Sequence, residues 1–140
     1  MTTIVLKIPF PPTVNHIWTR VGNRSFLTRE YRRFLALVVG AVESAKVAPG
    51  FKEAPAYSVQ LTVFPPDRRA RDLDNFLKAA LDAVTRAQLC PDDSLVCQLS
   101  ATKGAPAEKP FAVLEITALQ CATTARQPED YGEKTRKYNK

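Results

Sequence analysis

Proline punctuates this chain, closing one predicted strand or helix after another and so favouring a small domain of short strands and helices. Thr3, Ile4, Val5 and Ile8 predict a strand over residues 2–8; Pro9, Pro11 and Pro12 stop it because proline cannot donate to a sheet ladder. Between Asn15 and Thr28, a run through Trp18, the turn formers Gly22-Asn23 and then Ser25-Phe26-Leu27 read as a short hairpin. Thr28 is placed to cap a helix whose stripe is Tyr31, Leu35, Val38, Val39 and Val42, expected to reach about Ala48 before Pro49-Gly50 ends it. Residues 56–64 alternate Tyr57, Val59, Leu61 and Val63 with polar neighbours, as in a half-buried strand closed by Pro65-Pro66. A second helix is predicted from about Asp74 to Gln88, with Leu77, Leu81 and Val84 on its core face and Ala80 between them, broken at Leu89-Cys90-Pro91. Ser94–Thr102 and Phe111–Leu119 read as strands that could pair as a long-looped hairpin across Gly104, Pro106 and Pro110.

The expected fold class is therefore α/β: a single mixed-sheet domain of about four to six strands with two main helices. It should occupy residues 1–119, with 120–140 a flexible polar tail that has lost apolar periodicity. A chain of 140 residues that is 45% hydrophobic can bury one core. Its formal net charge of +6, of which the tail supplies +2, makes a polyanion a plausible partner, and nucleic acid is the commonest for a soluble basic domain. Cys90, Cys97 and Cys121 are odd in number, lack a Cys-x-x-Cys pair and have one histidine, His16, to join them, which argues against a disulfide framework or a zinc site. No N-terminal signal pattern and no run near the ~18 apolar residues of a membrane span is present, so a soluble, cytoplasmic protein is expected.

Chemistry concentrates in Arg68-Arg69-Ala70-Arg71-Asp72-Leu73-Asp74-Asn75-Phe76-Leu77-Lys78. On an extended backbone Asp72 and Asp74 project to one side and Leu73 to the other, so the pair could share a hard divalent cation such as Mg²⁺, which takes a few carboxylates plus water and phosphate. Lys78, four residues after Asp74, falls near the same helix face, where its ammonium could stabilise charge on a reacting phosphate or orient a water. Arg68, Arg69 and Arg71 could grip neighbouring phosphates. Asp92-Asp93 supplies a third carboxylate, one of the two completing the site. Structural readings stand beside these: Asp74 as a helix N-cap, the arginines as a solvated loop, Asp92-Asp93 as a turn pair, Lys78 as a surface lysine, and Trp18 with Phe26 as hairpin packing.

The order Ile-Pro-Phe-Pro-Pro-Thr-Val-Asn, a helix, a strand, then Pro-Asp-Arg-Arg-Ala-Arg-Asp-Leu-Asp-Asn-Phe-Leu-Lys-Ala-Ala-Leu-Asp-Ala-Val and Asp-Asp-Ser-Leu-Val resembles the RusA-like Holliday-junction resolvases over about residues 4–119. The resemblance implies a mixed α/β homodimer that cuts four-way DNA junctions with symmetric nicks, using Mg²⁺ or Mn²⁺ in its place, in DNA recombination and repair. It places the metal-binding and catalytic carboxylates on Asp72, Asp74 and Asp93, and the essential lysine on Lys78. Arg71 becomes a DNA contact; Arg68, Arg69, Asn15 and Lys103 are grouped with it as DNA-binding. Such enzymes often sit in phage or prophage genomes. Two alternatives belong to other classes: a junction-binding module without catalysis, and a phosphatase with an Asp-x-Asp nucleophile. The latter expects an apolar strand running into the first aspartate, where this chain has three arginines.

Overall fold

A computed structural model describes residues 2–120, so the tail expected at 120–140 lies outside the described residues from 121 onward. Six strands and two α-helices follow one another as β1 (Thr2–Pro9), β2 (Trp18–Val21), β3 (Arg24–Leu27), α1 (Arg29–Ser44), β4 (Ala56–Phe64), α2 (Asp74–Arg86), β5 (Val96–Lys103) and β6 (Phe111–Leu119). The main sheet has the order β1-β6-β4-β5, and β2-β3 forms a separate ribbon. This is the expected α/β class with a mixed sheet: β6 lies antiparallel to both β1 and β4, while β5 runs parallel to β4.

The expected hairpin between the last two strands is not formed, because β5 pairs with β4 and β6 inserts between β1 and β4. Burial explains the choice. Ala112, Leu114 and Ile116 of β6 are fully buried and need a neighbour on each side, whereas β5 is exposed along most of its length and suits an edge. A parallel pair needs a crossover, and α2 supplies it, making β4-α2-β5 a βαβ unit. The βαβ arrangement matters for function: ligands of such units gather at the carboxyl ends of the strands.

One sheet face carries the core. Ile4, Leu6 and Ile8 of β1, Tyr57, Val59, Leu61 and Val63 of β4 and the three β6 residues alternate with polar or exposed neighbours. Each large side chain removed from water here contributes about 1.5–3 kcal/mol. Tyr31, Phe34, Leu35, Val38 and Val42 of α1 close over that face with α2. The α2 stripe differs from the one expected: Phe76, Ala79, Ala80, Ala83 and Val84 are buried and Leu77 and Leu81 lie only at its margin. Alanines let the helix lie close to its neighbours, and Phe76 fills the space against Phe10, ring centroids 5.0 Å apart.

The helix ends follow local chemistry. Thr28 caps α1 as expected, its Oγ1 accepting from the Tyr31 amide at 3.2 Å. That helix stops at Ser44, short of the expected Ala48, since its stripe ends at Val42; Ser44 Oγ donates to the Gly40 carbonyl and the Ala45 amide tightens onto Val42. The chain then runs out so that Phe51 can enter the core. Helix α2 ends two residues before the expected Gln88, which is itself left-handed (φ 58), with Leu89 N–H on Val84 O and Gln88 N–H on Thr85 O, a Schellman closure.

Candidate active site

The segment 65–73 crosses from the carboxyl end of β4 to the start of α2, and it is fastened to the end of β5. Lys103 Nζ donates to the Arg71 carbonyl at 2.7 Å, Gly104 N–H to Val63 O at 2.8 Å and Ala107 N–H to Pro65 O at 2.8 Å. Within the segment Asp67 is the organiser. Its carboxylate accepts from the Arg71 guanidinium at 2.6 Å and from the Arg69 amide at 3.0 Å. Arg71, and then the Arg69 amide, hold the Asp67 carboxyl below the usual carboxylate range.

This arrangement leaves Asp72 and Asp74 without competitors. Arg71 is turned toward Asp67, with only 19% of its side chain exposed, and Lys78 is paired with Asp82 at 3.4 Å. Among the described residues no side chain forms a hydrogen bond or ion pair with either carboxylate. The expected extended backbone between them is absent, because Leu73 is helical (φ −62, ψ −36) and half-buried against the core. With Leu73 and Phe76 drawn inward, Asp72 leaves the last turn of the loop and Asp74 the first residue of α2, both exposed. Asp74 is therefore not the N-cap; that position is Leu73, which makes no side-chain cap. Two oxygen-only donors, charged, exposed and unpaired, suit a hard divalent ion.

Helix α2 presents a line of charge at four-residue spacing: Asp74, Lys78, Asp82 and Arg86. Lys78 is held on its neighbour Asp82, whose other ligand is the Tyr31 hydroxyl, donating to Asp82 Oδ2 at 2.7 Å from α1. Burial, reinforced by Asp82, pushes the Tyr31 phenol well above its ordinary value, so it stays a proton donor. Lys78, Asp82 and Arg86 of this line, but not Asp74, border a cavity of about 510 Å³ between α2 and the β2-β3 ribbon, with Trp18 and Asp93 also on its wall.

Asp92 and Asp93 separate into two roles. Asp92 caps the short 3₁₀ turn Asp93–Leu95, accepting from Ser94 N–H at 3.0 Å, a bond that keeps its carboxyl below the usual range. Asp93 has no such duty. Yet the expected convergence of three acids within one chain does not occur: no group of three His, Cys, Asp or Glu able to hold a metal exists among the described residues. Asp93 precedes β5, whose Val96 pairs with Tyr57 at the amino end of β4, while Asp72 and Asp74 stand at the carboxyl end. Asp93 instead lines the cavity beside Lys78, Asp82 and Arg86, whose wall includes neither Asp72 nor Asp74.

The remaining predicted residues fall into two sets. Arg68 and Arg69 are exposed on the loop, Arg69 paired loosely with Asp67 at 3.7 Å, and Asn15 is exposed on the 3₁₀ turn Val14–His16 that packs against α2. Arg71 and Lys103 instead spend their polar groups fastening the loop. Sequence reasoning missed Asp67, Asp82 and Tyr31. The first two were detectable as acids four residues from Arg71 and Lys78; Tyr31 was not, lying 51 positions from its partner.

Fold and site together define a class: a small α/β protein whose arginine-flanked acidic pair opens at the carboxyl end of a parallel strand pair. The family model described as Endodeoxyribonuclease RusA matches residues 9–117. Crossover junction endodeoxyribonuclease RusA from Shigella sonnei (strain Ss046) is 31% identical over 103 residues, covering 74% of this chain and 84% of the relative. The proteins of that name from Escherichia coli (strain K12), at 31%, and Enterobacteria phage 82, at 29%, match over the same shares. The chain belongs to the RusA family of endodeoxyribonucleases.

Proposed function

We propose that this protein resolves four-way (Holliday) DNA junctions by paired, symmetric, Mg²⁺-dependent phosphodiester hydrolysis in recombination and repair. The observation that carries the reading is the unpaired state of Asp72 and Asp74, beside an Arg71 held on Asp67 and a Lys78 held on Asp82. It is supported by the relatives' names, which describe crossover junction endodeoxyribonucleases, one of them from a phage.

Asp72 and Asp74 would hold the ion, with Mn²⁺ as a substitute; a bound divalent ion supplies Lewis acidity and an activated water. Lys78 offsets negative charge developing on the phosphate. Arg68 and Arg69 hold flanking phosphates and keep the strand in register. Asp93 joins no three-ligand group with the pair among the described residues of one chain and would complete such a site from a second copy, and two symmetric nicks require two sites; both considerations favour a homodimer. Among the described residues no helix is long and apolar enough to cross a membrane, in keeping with a proposed cytoplasmic, soluble enzyme.

The test is a labelled four-way junction with Mg²⁺ and two variants, Asp72→Asn and Asp93→Asn. Each alone should bind but not cut, with losses of about a hundredfold or more. Mixed, they should regain single nicks, since one site of a mixed dimer then has all its wild-type acids. Absence of cutting by the wild-type chain, with binding retained, would favour a junction-binding module without catalysis.

A further inference from the structure

We propose that the cavity beside Lys78 receives one nucleobase of the branched DNA, and that Trp18 is the surface on which that base stacks. The inference rests on the junction-cutting reading and adds to it a residue that positions the strand.

The expected packing of Trp18 on Phe26 is ruled out by the ribbon's register. Trp18 lies opposite Leu27 and Phe26 opposite Thr19, so the two aromatic side chains leave on opposite faces. Trp18 is 59% exposed, and among the described residues no ring stacks on it and no cation lies over it. An indole held at the wall of a cavity with its face open is a binding surface rather than core packing.

The cavity is chemically suited to a base. Its volume of about 510 Å³ falls within the roughly 300–1,000 Å³ of ligand clefts. Leu35 gives it apolar lining; Lys78 and Arg86 bring cations for a phosphate; Thr85 brings an acceptor for a ring or exocyclic N–H group. Thr85 donates its own proton to the Leu81 carbonyl at 3.0 Å, which leaves its oxygen as an acceptor. Arg20, on the same side of β2 as Trp18, and Arg24 add positive charge to the ribbon. Stacking on an aromatic tolerates every base, because every base has a π-face, and the base therefore gains hold while the polar groups grade it. Lys78 belongs to both the cavity wall and the acidic end of α2, so a base seated here fixes the backbone next to the reacting phosphate.

Trp18 is the one tryptophan of the chain, so its emission reports the contact directly. The full-length protein is titrated with a four-way junction in EDTA, while anisotropy of a dye on a distal arm reports binding independently. Emission should be quenched in step with binding, and a junction with an abasic site at one nucleotide flanking the crossover should bind without the quench. Trp18→Ala should weaken binding of the intact junction by roughly tenfold and bind the abasic one no worse than wild type does, with Trp18→Phe intermediate. Binding without quenching, or a quench that survives an abasic site at every flanking position, overturns the proposal and leaves junction cutting intact. A quench that grows with protein concentration in the absence of DNA assigns Trp18 to a contact between copies and overturns it too. Failure of the junction to bind at all overturns both readings.

Discussion

Asp67 neither touches the acidic pair nor stands near it in the charge line of α2, yet the freedom of Asp72 and Asp74 depends on it, since it draws Arg71 away. Its carboxyl is held below the ordinary range, so the folded state releases this proton more readily than the unfolded chain. The resulting stabilisation is present above the ordinary carboxylate pKa and is lost as pH falls through the lower folded value. We predict that Asp67→Ala lowers the melting temperature at neutral pH and that its gap from wild type closes on the acid side of the carboxylate range, as read by thermal melts across pH. At neutral pH the same variant should slow junction cutting, because a released Arg71 can turn onto Asp72 or Asp74 and compete with the ion. At this scale the sequence showed the acids and arginines but not their pairing. Two residues apart on an extended backbone was a sound local rule, and helical Leu73 made it inapplicable.

Strands and helices were legible where periodicity and breakers agreed. The run 56–64 became β4 with those bounds, Gly22 (φ 63) turned the β2-β3 ribbon, and Thr28 capped α1. The far end of α2 shows how a helix stops without glycine: Gln88 takes the left-handed position of a Schellman closure at a cost of about 1–2 kcal/mol for a residue bearing a Cβ. Its side chain is exposed and bonds nothing among the described residues, so Gln88→Gly should raise unfolding stability by about 1 kcal/mol, part of the gain being lost to glycine's freedom in the unfolded chain. Urea unfolding measures this, and an unchanged or lower midpoint would contradict it. Strand pairing was not legible. Ser94–Thr102 and Phe111–Leu119 look equally strand-like, and only the two-sided burial of β6 decides which of them sits in the middle.

For the whole molecule, the net charge of +6 gives a long-range attraction to DNA, and the fold determines which cations contribute to it at short range. Arg68 and Arg69 project from the loop, whereas Arg71 and Lys103 are occupied within it. Junction affinity measured against salt should therefore lose up to about 0.9 from its log–log slope for Arg68→Ala or Arg69→Ala. Arg71→Ala should leave the slope nearly unchanged while impairing cutting; the reverse pattern would return Arg71 to the phosphate contacts. The chain's sequence alone determined its class, its element order and the local run from Arg68 to Lys78, because propensity, breakers and short spacings act between near neighbours. Tertiary structure decided that β5 joins β4, that Asp93 lines the cavity beside Lys78, and that Tyr31 reaches Asp82. These are distances between segments far apart in the chain, fixed by which apolar faces must share one core, and no local pattern encodes them.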